Sequence, residues 1–354
     1  MIDKIKLSNF TAFKELEVDF SPKINVIIGE NGTGKTHLLK ASYALCSAND
    51  KFKNTPEVIE DDIAACITAK LLKTFMPLDN KIGKMRRRGV SENAQVEVDF
   101  HIDKRIALTF HTNSKSVAIQ ENKDYERYSY EPVFMPTKEV LSFMEGFVSL
   151  YNKYHLSFDG TYYDICSLLD LPVAQEERIT PKSKWAMDEI EKVVGGKFVF
   201  HGGGRVTFKT EGNEFSANAM AEGFRKAGIL SRLLETGAIQ PGISGPLFWD
   251  EPESNMNPQL MKLLVEIILE LSRNGQQIIL ATHDYILLKW INILMDENKD
   301  DHVKFHVLYH DKDSREIKIE STYDYLQINP NAIADTFKNL TKEQVSKKMG
   351  DLGK

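Results

Sequence analysis

Apolar residues along the chain change period several times, and each change marks an element. Residues 4–10 alternate with Ile5 and Leu7 on one face, and residues 15–20 repeat this with Leu16, Val18 and Phe20, so both predict strands. Ile24 to Ile28 is a nearly unbroken β-branched run, the pattern of a strand buried on both faces. A glycine-rich turn and then a helix over about Lys35–Ala48 follow, which is how an α/β unit opens. From about 56 to 76 the chain reads as a helix, with Ile63, Ile67, Leu71 and Phe75 at four-residue steps. Strand signals return at 96–102, 105–111, 116–120 and Pro132–Met135. Helix-like spacing fills about 139–194, with Val140, Phe143, Met144, Phe147 and Tyr151 three and four apart. Gly195-Gly196 and Gly202-Gly203-Gly204 then bracket a short hairpin around Phe198 and Phe200.

The last third is the most legible. A helix spans about 219–236, and Pro246–Trp249 is a short buried strand. Asn257 and Pro258 predict a helix start, with a capping side chain and then proline at the first helical position. Leu260, Leu263, Leu264, Ile267, Ile268 and Leu271 fall on a single helical stripe. A strand at 277–281, a helix from 284 to about 296, strands near 303–309 and 315–320, and a capped tail helix after Thr341 complete the reading. There is no internal repeat and no sustained heptad, which excludes a solenoid and a long coiled coil.

Composition narrows this further. The 354 residues, at roughly 150 per domain, predict about two domains. A charged share of 27% against 42% apolar is ordinary for a globular chain. The formal charge of −6 excludes a uniformly basic nucleic-acid coat, though not a local patch. One such patch exists: Lys81, Lys84, Arg86, Arg87 and Arg88 could grip phosphates, or form a solvated or partner-binding loop. Cys46, Cys66 and Cys166 share no metal-ligand spacing and fit a reducing compartment. Met1–Lys4 lacks a signal-peptide core, and no apolar run approaches the roughly 20 residues that span a bilayer. The expectation is a soluble cytoplasmic protein.

Three short segments carry chemistry. Gly29-Glu30-Asn31-Gly32-Thr33-Gly34-Lys35-Thr36 matches the phosphate-binding pattern G-x-x-x-x-G-K-[ST], with His37 next in the helix. Its glycines let successive N–H groups curl around a phosphate while the helix points its positive end at the same anion. Lys35 is then expected to reach the β- and γ-phosphates and Thr36 to ligate Mg²⁺. A glycine-rich turn without a ligand is the plainer reading, but the flanking strand and helix favour the phosphate site. Leu247 to Glu253 is an apolar strand ending in carboxylates: Asp250 suits the Mg²⁺ shell and Glu251 suits a water-polarising role. His283, directly after the strand Ile278–Ala281, is placed to contact a γ-phosphate.

With these segments the sequence resembles the ABC-type ATPase heads, the clade of SMC, RecF and overcoming-lysogenization-defect proteins. Ile5–Phe10, Phe13, Phe20 and Ile24–Gly32 look like their shared opening, Asp250–Pro258 like their Walker B and D-loop, and Thr282-His283 like their switch histidine. The resemblance covers about 1–48 and 215–310 and is strongest for small stand-alone ATPases of phage-defence loci. It implies an α/β P-loop NTPase with a mixed sheet, an antiparallel β portion and an inserted helical subdomain. The head would then be 1–138 and 195–354, with a helical insertion at 139–194. It also implies ATP sandwiched between two heads of a homodimer or larger assembly, with a signature loop of one head reaching the other's γ-phosphate. The string Leu-Ser-Gly-Gly-Gln is absent, so the candidate trans contact is Ala221, Glu222, Gly223 and Arg225, with Arg225 as a substitute charge and Ser216 and Asn218 as substitute polar groups. An amphipathic helix carrying Met220, Phe224, Ala227, Leu230 and Leu234 is the plainer reading of that segment. Where family heads place a Q-loop glutamine, this chain has Pro136–Val140, making Lys138 or Glu139 the coupling candidates. Phe13 is read either near adenine or in the core.

Asp311 and Asp313 resemble a TOPRIM acidic pair, but a hairpin turn at Asp313-Ser314 explains them better. The expected function is an ATP-hydrolysing regulatory subunit that controls a separate effector in antiviral defence. The rivals are a RecF- or SMC-like ATPase that binds DNA directly, a transporter subunit and a self-sufficient nuclease.

Overall fold

The computed structural model describes residues 1–49, 52, 55, 58–154 and 156–351. Strand β3 (Ile24–Gly29) is buried at every position because it is covered on both sides. Ile24, Val26 and Ile28 enter one hydrophobic cluster while Ile27 enters another. It lies inside a six-stranded sheet with β7 (Val133–Met135), β11 (Leu247–Asp250), β12 (Ile278–Thr282), β13 (Val303–His310) and β14 (Ile317–Thr322), in the order β14-β13-β3-β12-β11-β7. All pairings in it are parallel except β13 with β14. Such a sheet needs both faces covered, which is why its strands read as continuous apolar runs.

One cover is a five-stranded antiparallel sheet, β2-β1-β4-β5-β6, made of β1 (Ile2–Phe10), β2 (Phe13–Asp19), β4 (Ala94–Phe100), β5 (Lys104–Phe110) and β6 (Ala118–Lys123). Helix α1 (Lys35–Ser47) and helix α2 (Glu60–Phe75) contribute Leu38, Leu39, Ile63 and Ile67 to the same cluster. The other face is covered by α3 (Phe147–Lys153), α4 (Gly160–Leu169), α5 (Pro181–Val194), α6 (Glu222–Glu235), α7 (Pro258–Arg273) and α8 (Tyr285–Leu294). A three-stranded antiparallel sheet of β8 (Lys197–Phe200), β9 (Val206–Lys209) and β10 (Glu214–Ser216) adjoins them, and α9 (Ala332–Asp351) ends the described chain. The mixed sheet with an antiparallel portion is thus as expected. No helix among the described residues is long and apolar enough to cross a membrane.

Four local expectations change. Val140, Phe143 and Met144 are spaced as in a helix but lie in a run of turns before α3. The glycine turn at 202–204 docks there, with Gly146 N–H donating to the Gly203 carbonyl at 3.1 Å, and Gly146 itself is left-handed at φ +70°. Strand β4 stops at Phe100 because Ile102 and Asp103 adopt φ of +65° and +57° to turn into β5. The hairpin around Phe198 gains a third strand, β10, which is exposed at every position and so left no burial signal. The tail helix starts at Ala332 and not after Thr341: Asn331 accepts the Ala334 N–H at 3.0 Å, and an exposed helix carries no apolar period. Residues 56 and 57, where the second helix was expected to begin, lie outside the described residues.

Candidate functional site

Because β3, β11 and β12 run parallel, their carboxyl ends share one edge of the sheet. Open α/β sheets bind ligands at such an edge. The loop from Gly29 to Thr36 leaves β3 there and enters α1. Gly34 is left-handed at φ +87°, and a Cβ on it would lie 2.6 Å from the Phe13 ring; one on Gly29 would lie 2.5 Å from the Leu308 carbonyl. Phe13 is therefore a packing residue beneath the loop, fully buried. Glu30 and Asn31 are exposed, while Thr33 is buried and its hydroxyl donates to the Glu30 carbonyl at 2.8 Å.

Lys35 is buried and its Nζ donates to the carbonyls of Gly29 at 2.7 Å and Glu30 at 3.1 Å. Burial pushes its ammonium below the ordinary lysine range, against the pull of Glu251, Asp250 and Glu253. The Thr36 hydroxyl donates to Asp250 Oδ2 at 2.9 Å, so the two residues expected at a metal meet across 214 positions of sequence. Asp250 Oδ1 is buried without a hydrogen-bond partner among the described residues. Burial holds this carboxyl above the usual aspartate range, and the hydrogen bond from Thr36 opposes the shift. An orphaned carboxylate oxygen beside a hydroxyl fits Mg²⁺, which takes one or two protein ligands and completes its shell with phosphate and water. No cluster of three or more His, Cys, Asp or Glu could hold a metal by itself among the described residues.

Glu251 adopts a left-handed backbone, φ +51°, with its N–H on the Ala281 carbonyl at 2.9 Å. Its Oε1 lies 3.1 Å from His283 Nδ1. Glu253, to which the sequence reading gave no role, is buried and receives the Thr282 hydroxyl at 2.7 Å and the His283 N–H at 3.3 Å. It anchors the histidine turn, and burial raises its carboxyl above the ordinary range. Only its place two residues after Glu251 could have hinted at this.

The signature-like segment is placed otherwise than its charges suggested. Ala221 precedes α6, and a Cβ on Gly223 would stand 2.9 Å from the Asn255 carbonyl, so this glycine is required by packing against the turn after Glu253. Arg225 is not a free charge: it pairs with the buried Glu139 at 2.9 Å and donates to the Met220 carbonyl. Glu139, and not the exposed Lys138, therefore ties the segment after β7 to α6. Glu222, Ser216 and Asn218 lie at or just before the start of α6, where Ser216 caps a short turn.

The basic stretch lies beside the phosphate loop. Arg86 donates to the carbonyls of Val90 and Glu92, and Arg87 to that of Ala12, which straps the stretch to the β1–β2 turn. Lys81, Lys84 and Arg88 remain exposed. A cavity of about 490 Å³ lies between Thr11, His37, Phe75 and Arg86–Arg88. His37 Nδ1 is buried there without a partner among the described residues, and burial depresses its pKa. Asp311 closes the β13–β14 turn, accepting the Ser314 N–H at 2.8 Å, as a hairpin residue does.

Comparison with known proteins gives two family matches: an AAA ATPase domain over residues 1–167, and over 205–289 a model described as an AAA domain, proposed AbiEii toxin of a type IV toxin–antitoxin system. The chain is 31% identical over 105 residues to the DNA replication and repair protein RecF of Bacillus cytotoxicus, and 42% identical over 91 residues to that of Bacillus thuringiensis. These matches cover 29% and 25% of this chain, and 24% of the length of each relative. In three dimensions it resembles the SMC head domain from Thermotoga maritima at 14% identity and a TM-score of 0.50, covering 91% of this chain and 98% of that one. An SMC head bound to the C-winged helix domain of ScpA aligns at 12% identity and 0.56, covering 91% and 97%. At such identities these structures speak for the fold.

Proposed function

We propose that the chain is an ABC-type ATPase head of the SMC/RecF clade that binds and hydrolyses ATP, using nucleotide-dependent association of two heads to control a separate effector. The observation that carries this is the meeting of two distant pairs at one loop, Thr36 with Asp250 and Glu251 with His283. The N–H groups of Gly32–Lys35 and the amino end of α1 would receive the phosphates, and Lys35 would neutralise charge on the β- and γ-phosphates. Mg²⁺, held by Thr36 and Asp250, would add charge neutralisation at the phosphate oxygens. Glu251 would accept a hydrogen bond from the attacking water and His283 would contact the γ-phosphate. The cavity beside His37 would take the base and ribose. We assign 139–194 to a helical insertion and 1–138 with 195–354 to the head.

A second head would present Ala221–Gly223, at the start of α6, to the nucleotide. A separate partner is supported by the SMC head solved with a ScpA domain. We place this control in antiviral defence in the cytoplasm; the second family model, described as a proposed toxin of a type IV toxin–antitoxin system, supports only a toxin-related setting. The test is mass in solution by light scattering, with and without ATP and Mg²⁺, on wild type and Glu251→Gln. Growth in mass with ATP that persists in the variant supports closure; a monomer under every condition overturns it.

The second reading is direct DNA binding, favoured by the RecF matches. It predicts salt-sensitive DNA binding that is lost when Lys81, Lys84 and Arg88 become alanine. Arg86 and Arg87 are poor probes, since they hold the loop itself.

A further inference from the structure

Lys226 lies early in α6 and is only 2% exposed. A buried ammonium is costly unless paired, and its surroundings are acidic: Glu222, Glu253, Glu251 and Glu139 all pull on it. Its one hydrogen bond among the described residues runs from Nζ to the backbone carbonyl of Glu251, at 3.3 Å. That carbonyl belongs to the residue held at φ +51°, a conformation that is unfavourable for a non-glycine residue. The Glu251 peptide groups are therefore fixed from three sides: the N–H by Ala281, and the carbonyl by the Ser254 N–H at 3.1 Å and by Lys226. One of these anchors belongs to the neighbouring strand β12 and one to the turn after Glu251. Lys226 alone comes from a helix.

Its helix has no slack against that turn. Gly223 packs so closely on Asn255 and Met256 that α6 cannot shift without the turn sensing it. Arg225, the neighbour of Lys226, is fastened to Glu139 beyond β7. A displacement of the first turns of α6 is thus delivered both to Glu139, through Arg225, and to the Glu251 carbonyl, through Lys226.

We propose that Lys226 is a positioning residue for ATP hydrolysis: it ties the left-handed backbone of Glu251 to α6, so that a second head engaging the first turn of α6 sets the aim of the Glu251 carboxylate. This rests on the reading of Glu251 as the water-orienting group. Lys226 Nζ is seated on the Glu251 backbone carbonyl and acts only through that residue.

The test uses the full chain and Lys226→Met, which keeps length and apolar bulk but removes the donor. Turnover should fall by roughly ten- to a hundredfold, the effect of a slight misplacement at a reacting centre. KM and the affinity for a non-hydrolysable ATP analogue should stay within about twofold, because no ground-state contact is lost. The melting temperature should hold or rise, since an apolar isostere relieves a desolvated charge. Glu251→Gln with Lys226→Met should be no slower than Glu251→Gln alone. Wild-type turnover in Lys226→Met, or further slowing of Glu251→Gln by it, overturns the proposal. Normal turnover in Glu251→Gln itself overturns the premise instead, so the two failures are distinguishable. If the Met variant does not fold, Lys226→Gln is read by the same kinetic criteria.

Discussion

Glu251 and His283 face each other across 3.1 Å from the ends of neighbouring parallel strands, and a second carboxylate, Glu253, accepts the histidine's backbone N–H. The arrangement separates two tasks: one carboxylate is partly open toward the nucleotide edge, and the other is buried and structural.

Glu251→Gln keeps shape and hydrogen-bonding reach but removes the charge that we propose orients water. ATP turnover should fall by on the order of a hundredfold while ATP binding persists, leaving ATP-bound assemblies. Single-turnover hydrolysis and light scattering check both halves.

Lys35→Ala removes the ammonium seated on the loop carbonyls of Gly29 and Glu30. Charge-assisted bonds of this kind are worth about 1.5–3 kcal/mol, so ATP affinity should drop roughly ten- to a hundredfold. Calorimetric titration decides it, and unchanged affinity would sink the phosphate-loop assignment.

Asp250 carries a pH signature. Its folded pKa lies above the unfolded value near 3.8, so the folded state binds more protons than the unfolded one and stability is lost as pH rises through the window above 3.8. Asp250→Asn should therefore melt higher than wild type at pH 7 without nucleotide. The difference should shrink as pH falls toward that window, where both side chains are neutral. The same variant should lose Mg²⁺-dependent turnover, which melting curves and a metal titration test separately.

Gly223→Ala places a methyl 2.9 Å from the Asn255 carbonyl. Overpacking of this kind costs about 1–3 kcal/mol, read by denaturant unfolding. Because α6 must then move away from the turn that follows Glu253, turnover should drop as well. An unaltered rate at full stability would show that the contact is slack.

Local structure was legible wherever a short string must be contiguous. The glycine loop from Gly29 to Thr36 entering α1, the strand ending in Asp250 before Glu251, and the capped start of α7 each depend on neighbours in sequence. Asn257 does accept the Gln259 N–H at 2.9 Å, with Pro258 opening the helix. The buried strands were also plain, since a parallel sheet covered on both faces demands unbroken apolar runs.

What the sequence determined by itself was this set of local pieces and their order along the chain, while their order along one sheet edge came from the fold. The tertiary structure decided which charges are free. Arg225 looked like a spare cation until Glu139, 86 positions earlier, came to rest against it. Lys226 and Glu253 had no role in the sequence reading and proved buried, each fastened to the backbone of another element. The physical reason is that a periodic pattern records how much surface an element hides, whereas the partner of a buried charge is set by packing between elements far apart in the chain.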